Sequence, residues 1–496
     1  MKKIFTILLM AIFLINGCQK DFQEDPVQPA PDGPRGRLQV KNQVIRVVQA
    51  PGLKTMHSTR LGFVFTLVAE VDAPEVNGQI VQATHVAIEG NLAFVSYNMR
   101  GPQNLGAIDI IDITDPAQPS IVKTILFENR DINTLGFYNG LIVLAGQDSN
   151  GAFYGFIDPD DEENTLEVHR LVSHSAVGMT ISDDLVYAVS AKNGGLTIID
   201  AEGNEEFFAF FDARSVAVGE DVFVLSKEKI QTLNGAEILL DPNHIQNGSK
   251  AELDLSDQYL FAAMNRGGAN IYDAENLSLV QAIPRPVIPE DSDPENYVTN
   301  SVSFNDPLLF LANGGAGIAV NKRVWNEGMN QDDFLEFGYF DFGGPLSSNY
   351  VMSRGNFVFV ATGLGGLKIL TFIEDEEGCS WTMETAFGGS NAGGGAAWWY
   401  YFDNSAGSTH PIYAGQELVE GAFVNYTDGI MTIVLGPKMV LQDVSEAVKI
   451  QGYNQGELPS SRPPAGLFTT YKGNDLVIEV PYYPYYVIHL DVLVCK

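Results

Sequence analysis

The sequence predicts an all-β protein, a seven-bladed β-propeller followed by a small β-sandwich domain. Three observations carry this. Seven segments in the middle of the chain share one hairpin pattern, a glycine-led strand follows most of them, and a strand-like run ahead of the first has no partner nearby. Repeats with periods of about 20–50 residues mark solenoids, propellers or arrays.

Each hairpin is an alternating run, a two-residue polar turn and a second apolar run; the first reads THVAIEGNLAFVSYN. The second turn residues are Asn91, Gly140, Asp184, Asp221, Gln258, Pro307 and Asn356, spaced by 49, 44, 37, 37, 49 and 49. Alternation is the half-buried strand signature, and Gly, Asn and Asp between such runs adopt positive φ cheaply. The third element runs from Gly106 to Asp112, Gly151 to Asp158, Gly194 to Asp200, Gly267 to Asp273, Gly314 to Val320 and Gly365 to Thr371. A degenerate copy spans Lys229 to Gly235. An outer strand follows, as at Ser120 to Phe127. Four strands in such a period make a propeller blade, which must stack on neighbours to bury both faces. Gly62 to Asp72 is then the strand that closes the ring onto the last blade. A solenoid or two stacked sandwiches is the competing arrangement.

Composition agrees. Of 496 residues 45% are apolar, and 49 Gly and 24 Pro suit a turn-rich β protein. The 62 acidic against 29 basic residues give a net charge of −33, which opposes nucleic-acid binding.

Lys2 and Lys3 precede an apolar run, Ile4 to Ile15, too short to span a bilayer and typical of a secretory signal. Leu14-Ile15-Asn16-Gly17-Cys18 resembles the bacterial lipobox, with Asn16 departing from the usual residue there. The resemblance implies residues 1–17 as signal peptide, lipidation of Cys18 and anchoring by acyl chains rather than a helix. The Pro-rich stretch beyond it reads as a flexible tether over residues 18–55. The acidic residues just after Cys18 resemble the surface-export signals of Bacteroidetes lipoproteins, which places the chain on the bacterial outer membrane.

Gly106-Ala-Ile-Asp-Ile-Ile-Asp-Ile-Thr-Asp-Pro-Ala-Gln-Pro resembles the LVIVD repeat, and Gly195-Leu-Thr-Ile-Ile-Asp matches its first half. The likeness covers the propeller, residues 56–374, and implies a bacterial surface propeller without catalytic residues to carry over. In residues 375–496, Glu384-Thr-Ala-Phe387, Pro411-Ile-Tyr-Ala-Gly-Gln416 and Tyr486-Val-Ile-His-Leu490 resemble a C-terminal module recurrent in Bacteroidetes surface proteins. Six or seven short strands there, among them Ala396 to Phe402 and Gly466 to Tyr471, read as the β-sandwich. With Cys18 lipidated, Cys379 and Cys495 remain as a disulfide pair or as free thiols.

The chain offers little catalytic chemistry. Its seven histidines show no HxxxH spacing, and Gly388-Gly389-Ser390-Asn391-Ala392 misses the nucleophile elbow at its last position. Two acidic runs, Asp158 to Glu163 and Glu290 to Glu295, are calcium sites or solvated loops. Asn98, Asn193, Asn265 and Asn313 recur just before the glycine motifs, as ligand-binding candidates near one rim of the channel or as left-handed turn residues. Trp398, Trp399 and Tyr400 open an aromatic run that contacts a ligand or packs the sandwich core. The expected function is a surface-anchored, non-enzymatic binding lipoprotein for a protein or glycan, with no cofactor unless calcium. The alternatives are a metal-dependent propeller hydrolase or lactonase and a structural part of an outer-membrane assembly.

Overall fold

The computed structural model describes residues 28–29, 36–45 and 63–495, apart from 116–117, 162, 291, 344–345, 375–380, 428, 437 and 443. Cys18 and Cys379 lie outside the described residues.

Seven four-stranded antiparallel units follow one another along the chain, each ordered from an inner to an outer strand. Blade 1 comprises Gln82–Glu89, Leu92–Asn98, Gly106–Asp112 and Ser120–Phe127, with Gln28–Pro29 added at its outer edge. The inner strands of blades 2 to 6 are Arg130–Tyr138, Ala176–Ser182, Ala213–Val218, Glu252–Leu255 and Ser301–Asn305. Blade 7 takes three strands from the end of the repeat region, Tyr350–Arg354, Phe357–Ala361 and Leu367–Glu374. Its fourth is Phe63–Val71, antiparallel to Leu367–Glu374 with Val71 opposite Leu367. The strand without a sequence neighbour therefore closes the ring. The tight turns behave as their residues demand: Asn139 and Gly140, and Asp183 and Asp184, all have positive φ.

One apolar cluster fills each of the seven junctions between blades. Phe94 and Ile110 of blade 1 meet Leu135 and Phe153 of blade 2, and Phe65 of the closing strand joins Phe310, Phe340 and Val358 between blades 6 and 7. The cluster of Val71, Ala83, Val95 and Phe359 then joins blade 7 to blade 1. Hydrogen bonds tie neighbouring inner strands at the same junctions. The Thr84 hydroxyl donates to Ile132 O (3.2 Å), Asn133 Nδ2 to Ala176 O (2.8 Å) and the Thr180 hydroxyl to Val216 O (2.7 Å). Farther round, Ser215 donates to Glu252, Phe304 N–H to Asp254 and Val351 N–H to the Ser301 hydroxyl. Ala83 N–H donates to Gly363 O and closes the circle.

The N-terminal segment departs from expectation. Residues Leu38–Ile45, placed in the tether by sequence, form a strand that pairs antiparallel with the closing strand and becomes a fifth strand of blade 7. Its far edge meets the C-terminal module through a parallel pairing of Gln43 with Leu441. Arg37, just ahead of it, chelates the fully buried Asp109 of blade 1 at 2.6 and 3.0 Å. A charged, mixed-polarity strand carries weak sequence signal; its place comes from an unpaired sheet edge and this ion pair.

In the C-terminal module the long strand Tyr485–Cys495 pairs with Trp381–Gly388 on one side and with Met439–Leu441 and Val448–Tyr453 on the other. Hydrogen bonding runs on through Thr409–Ala414, Glu417–Thr427 and Ile430–Val434, so one continuous sheet folds over a core that includes Val424, Met431, Ile450 and Ile488. The expected strand at Gly466 to Tyr471 is instead a short 3-10 turn, Ala465–Leu467, before a strand at Tyr471–Gly473.

Candidate functional site at the channel mouth

In every blade the inner strand begins where the second strand ends, as Gln82 opposite Asn98 shows. The turns between second and third strands therefore share one rim of the axis. There the axis opens into a cavity of about 670 Å3, lined by residues of blades 1 to 4 and the segment that enters blade 5.

Of the four candidate asparagines, only Asn98 reaches this cavity, donating through Nδ2 to Asn133 Oδ1 at 2.8 Å. Asn193 and Asn265 have φ of 64° and 53°, the left-handed turn geometry that Asn tolerates. Asn265 also exchanges backbone hydrogen bonds with Thr299, and buried Asn313 accepts from the Thr299 hydroxyl at 2.7 Å. The Asn265–Thr299 pair staples blades 5 and 6, and Asn313 holds Thr299 within blade 6.

The cavity carries charge that the sequence pattern did not single out. Lys192, Arg214, Lys227 and Lys250 line it against Asp212 and Glu228, a local cationic excess in a chain of net charge −33. Three of the cations come from loops between strands or blades, which the ring alone brings together; isolated lysines in an acidic chain were the available signal. Buried Arg214 donates to Asp212 (2.9 Å) and to Ser249 O (3.3 Å), while its Nε finds no acceptor. Lys227 donates to Asn247 Oδ1 at 2.8 Å.

Lys250 forms the floor. Its Nζ donates to Thr84 O of blade 1 at 2.5 Å, lies 3.5 Å from Glu252 Oε1 and sits 4.5 Å over the Tyr350 ring of blade 7. The Tyr350 ring packs against His85 with centroids 4.2 Å apart and planes tilted by 39°. Loss of water lowers the Lys250 pKa and raises that of Glu252, each partly offset by the other's charge. The same desolvation, with the Lys250 charge nearby, holds His85 well below its ordinary value. Desolvation pushes Asp254 up to about 6, against hydrogen bonds from Phe304 and Leu255 N–H.

The aromatic run lies elsewhere. Its strand is only Tyr400–Asp403, so strict alternation from Ala396 fails. Trp399 is 1% exposed, packs with Phe387, Phe468 and Val487 and donates from Nε1 to Gly394 O at 2.7 Å. Trp398 packs edge-on to Phe387, and Tyr400 stacks on Tyr413 at 4.1 Å. Both are half-buried. Cys495 is a disulfide cysteine. In the first acidic run Asp161 accepts from the Glu163 and Thr165 backbone, and in the second Asp293 caps a 3-10 turn. Among the described residues no group of three or more His, Cys, Asp or Glu is placed to hold a metal.

No protein family and no curated protein matches the chain by sequence. Several solved structures are similar to it at low identity. The RRP9 WD40 repeats are 9% identical, with 61% of this chain and 98% of that one covered and a TM-score of 0.46. A catalytically inactive virginiamycin B lyase from Staphylococcus aureus, solved with quinupristin, is 10% identical over 63% and 100% of the chains (TM-score 0.44). The computationally designed Ika8 protein is 12% identical over 67% and 97% (TM-score 0.38). These likenesses carry nothing about ligand or role.

Proposed function

We propose that this is a surface-anchored, non-enzymatic binding lipoprotein of LVIVD-repeat type, whose propeller binds a protein or glycan partner at the channel mouth. The observation that carries the reading is the cavity at the rim, which has the size and the convergent polar groups of a ligand site. The likeness of residues 14–18 to a lipobox supports attachment to the bacterial outer membrane through Cys18, with the propeller facing outward. The C-terminal module then acts as a brace: a strand of the N-terminal segment lies between it and blade 7.

The test is a set of glycan and protein arrays probed in parallel with the full chain and with Asn247→Trp, which fills the exposed rim without removing a cation. Signals that vanish in the variant support the reading. Identical binding profiles would overturn it.

A further inference from the structure

We infer that the channel mouth takes an anionic, hydroxyl-rich ligand of the class of a uronate-type acidic sugar. This rests on the reading of the mouth as the binding site and adds the chemistry of its ligand.

The charge argument comes first. The chain holds 29 Lys and Arg among 496 residues, yet four line this one cavity with two carboxylates. Of those two, Asp212 is engaged by Arg214, and Glu228 is exposed to water; Lys250 is itself paired with Glu252 beneath the floor, so Lys192 and Lys227 carry the cationic excess. Lys192 is exposed at the rim, and among the described residues Lys227 donates to a neutral amide, Asn247. Arg214 supplies the second observation. It is 4% exposed, lines the cavity and keeps a buried Nε–H without an acceptor. A buried N–H left unmade is costly, so the guanidinium is under-satisfied where it borders the cavity, and a carboxylate is the group that suits a guanidinium best.

The remaining lining suits a sugar. Phe211 is 60% exposed at the rim, an apolar face on which a pyranose ring can stack. Asn98, Gln147 and Asn247 place amides around the wall; Asn98 and Gln147 donate to Asn133 and Asp131 and turn their oxygens to hydroxyl donors, while Asn247 accepts from Lys227 and offers its amide N–H groups. Cations for the carboxylate, amides for the hydroxyls and an aromatic face for the ring are thus gathered in one cavity. The surrounding acidic surface would repel anions approaching elsewhere, so the mouth is where an anion is accepted.

The experiment is calorimetric titration of the full chain in detergent with trigalacturonate, with its neutral methyl ester and with hexaglutamate peptide. Wild type is compared with the double variant Lys192→Gln/Lys227→Gln and with Asn247→Trp, each checked for an unchanged melting curve. The inference expects the acid sugar to bind at least tenfold more tightly than its ester, and the double variant to lose at least tenfold for the acid alone. Equal binding of acid and ester, abolished by Asn247→Trp, would overturn the anion while leaving the site in place. Tighter binding of hexaglutamate would overturn the sugar class, and no binding of either sugar would overturn the proposal.

Discussion

The Lys250 ammonium reaches across the propeller axis to the carbonyl oxygen of Thr84, 2.5 Å away, although the two belong to blades 5 and 1, which are not neighbours in the ring. The bond spans the channel below the mouth. Lys250→Met keeps the stem and removes the charge. Glu252 then retains the Ser215 hydroxyl and can take up a proton, so the cost is expected at about 1–2 kcal/mol. Denaturant midpoints at constant m-value measure it, and no loss would mean the bond does not brace the ring.

Arg37 to Asp109 is the second long link. Asp109 is fully buried and also accepts from the Tyr97 and Thr124 hydroxyls. Arg37→Ala strands that carboxylate and frees the start of the Leu38–Ile45 strand. A loss of about 3 kcal/mol is expected, at the lower end for a broken buried pair because Arg37 is 23% exposed. Limited proteolysis should then cut within residues 38–45 before the blades; cleavage at the wild-type rate would contradict this account of the strand.

Acid should act through His85. Its folded pKa lies well below 6.5, so as pH falls below that value the unfolded chain takes a proton that the fold refuses, and stability is lost. Asp254, raised to about 6, works in the opposite direction: its folded form binds the proton first and gains stability as pH falls. That contribution is common to wild type and variant. His85→Phe, which keeps a ring against Tyr350, is therefore expected to lose less stability between pH 7 and 5 than wild type. Parallel slopes in pH-dependent melting would contradict it.

How much of this was legible in sequence depends on whether the signal was local. The blades were, because hairpin turns such as Asn139-Gly140 require particular residues and the strands alternate. The closing strand was, because an unpartnered strand must pair somewhere. Leu38–Ile45 was not, since its place depends on Arg37 finding Asp109 some seventy residues away. Sequence left Trp399 open between ligand and core because its burial depends on Gly393 and Gly394 folding back beneath the indole, which occupies the space a Cβ at Gly393 would need. The channel cations were not legible because they share no repeat position: Lys192 and Lys227 lie in turns of different blades. Arg214 sits at the start of an inner strand and Lys250 in the loop that leads into the next, and only ring closure makes them neighbours of Lys192 and Lys227.

Anchoring is tested at Cys18. Metabolic labelling with palmitate is expected to tag the wild-type chain and not Cys18→Ser, and the variant should leave the membrane fraction. Non-reducing peptide mapping of the same material is expected to join Cys495 to Cys379. An unlabelled wild type would remove the lipoprotein reading without touching the fold.

The most direct test of the central claim is hydrogen–deuterium exchange on the full chain with and without the strongest array hit. The account predicts protection in peptides covering the rim, around Asn98, Lys192, Lys227 and Lys250. Protection confined to the opposite rim, or to the Trp398–Phe402 region of the C-terminal module, would contradict it.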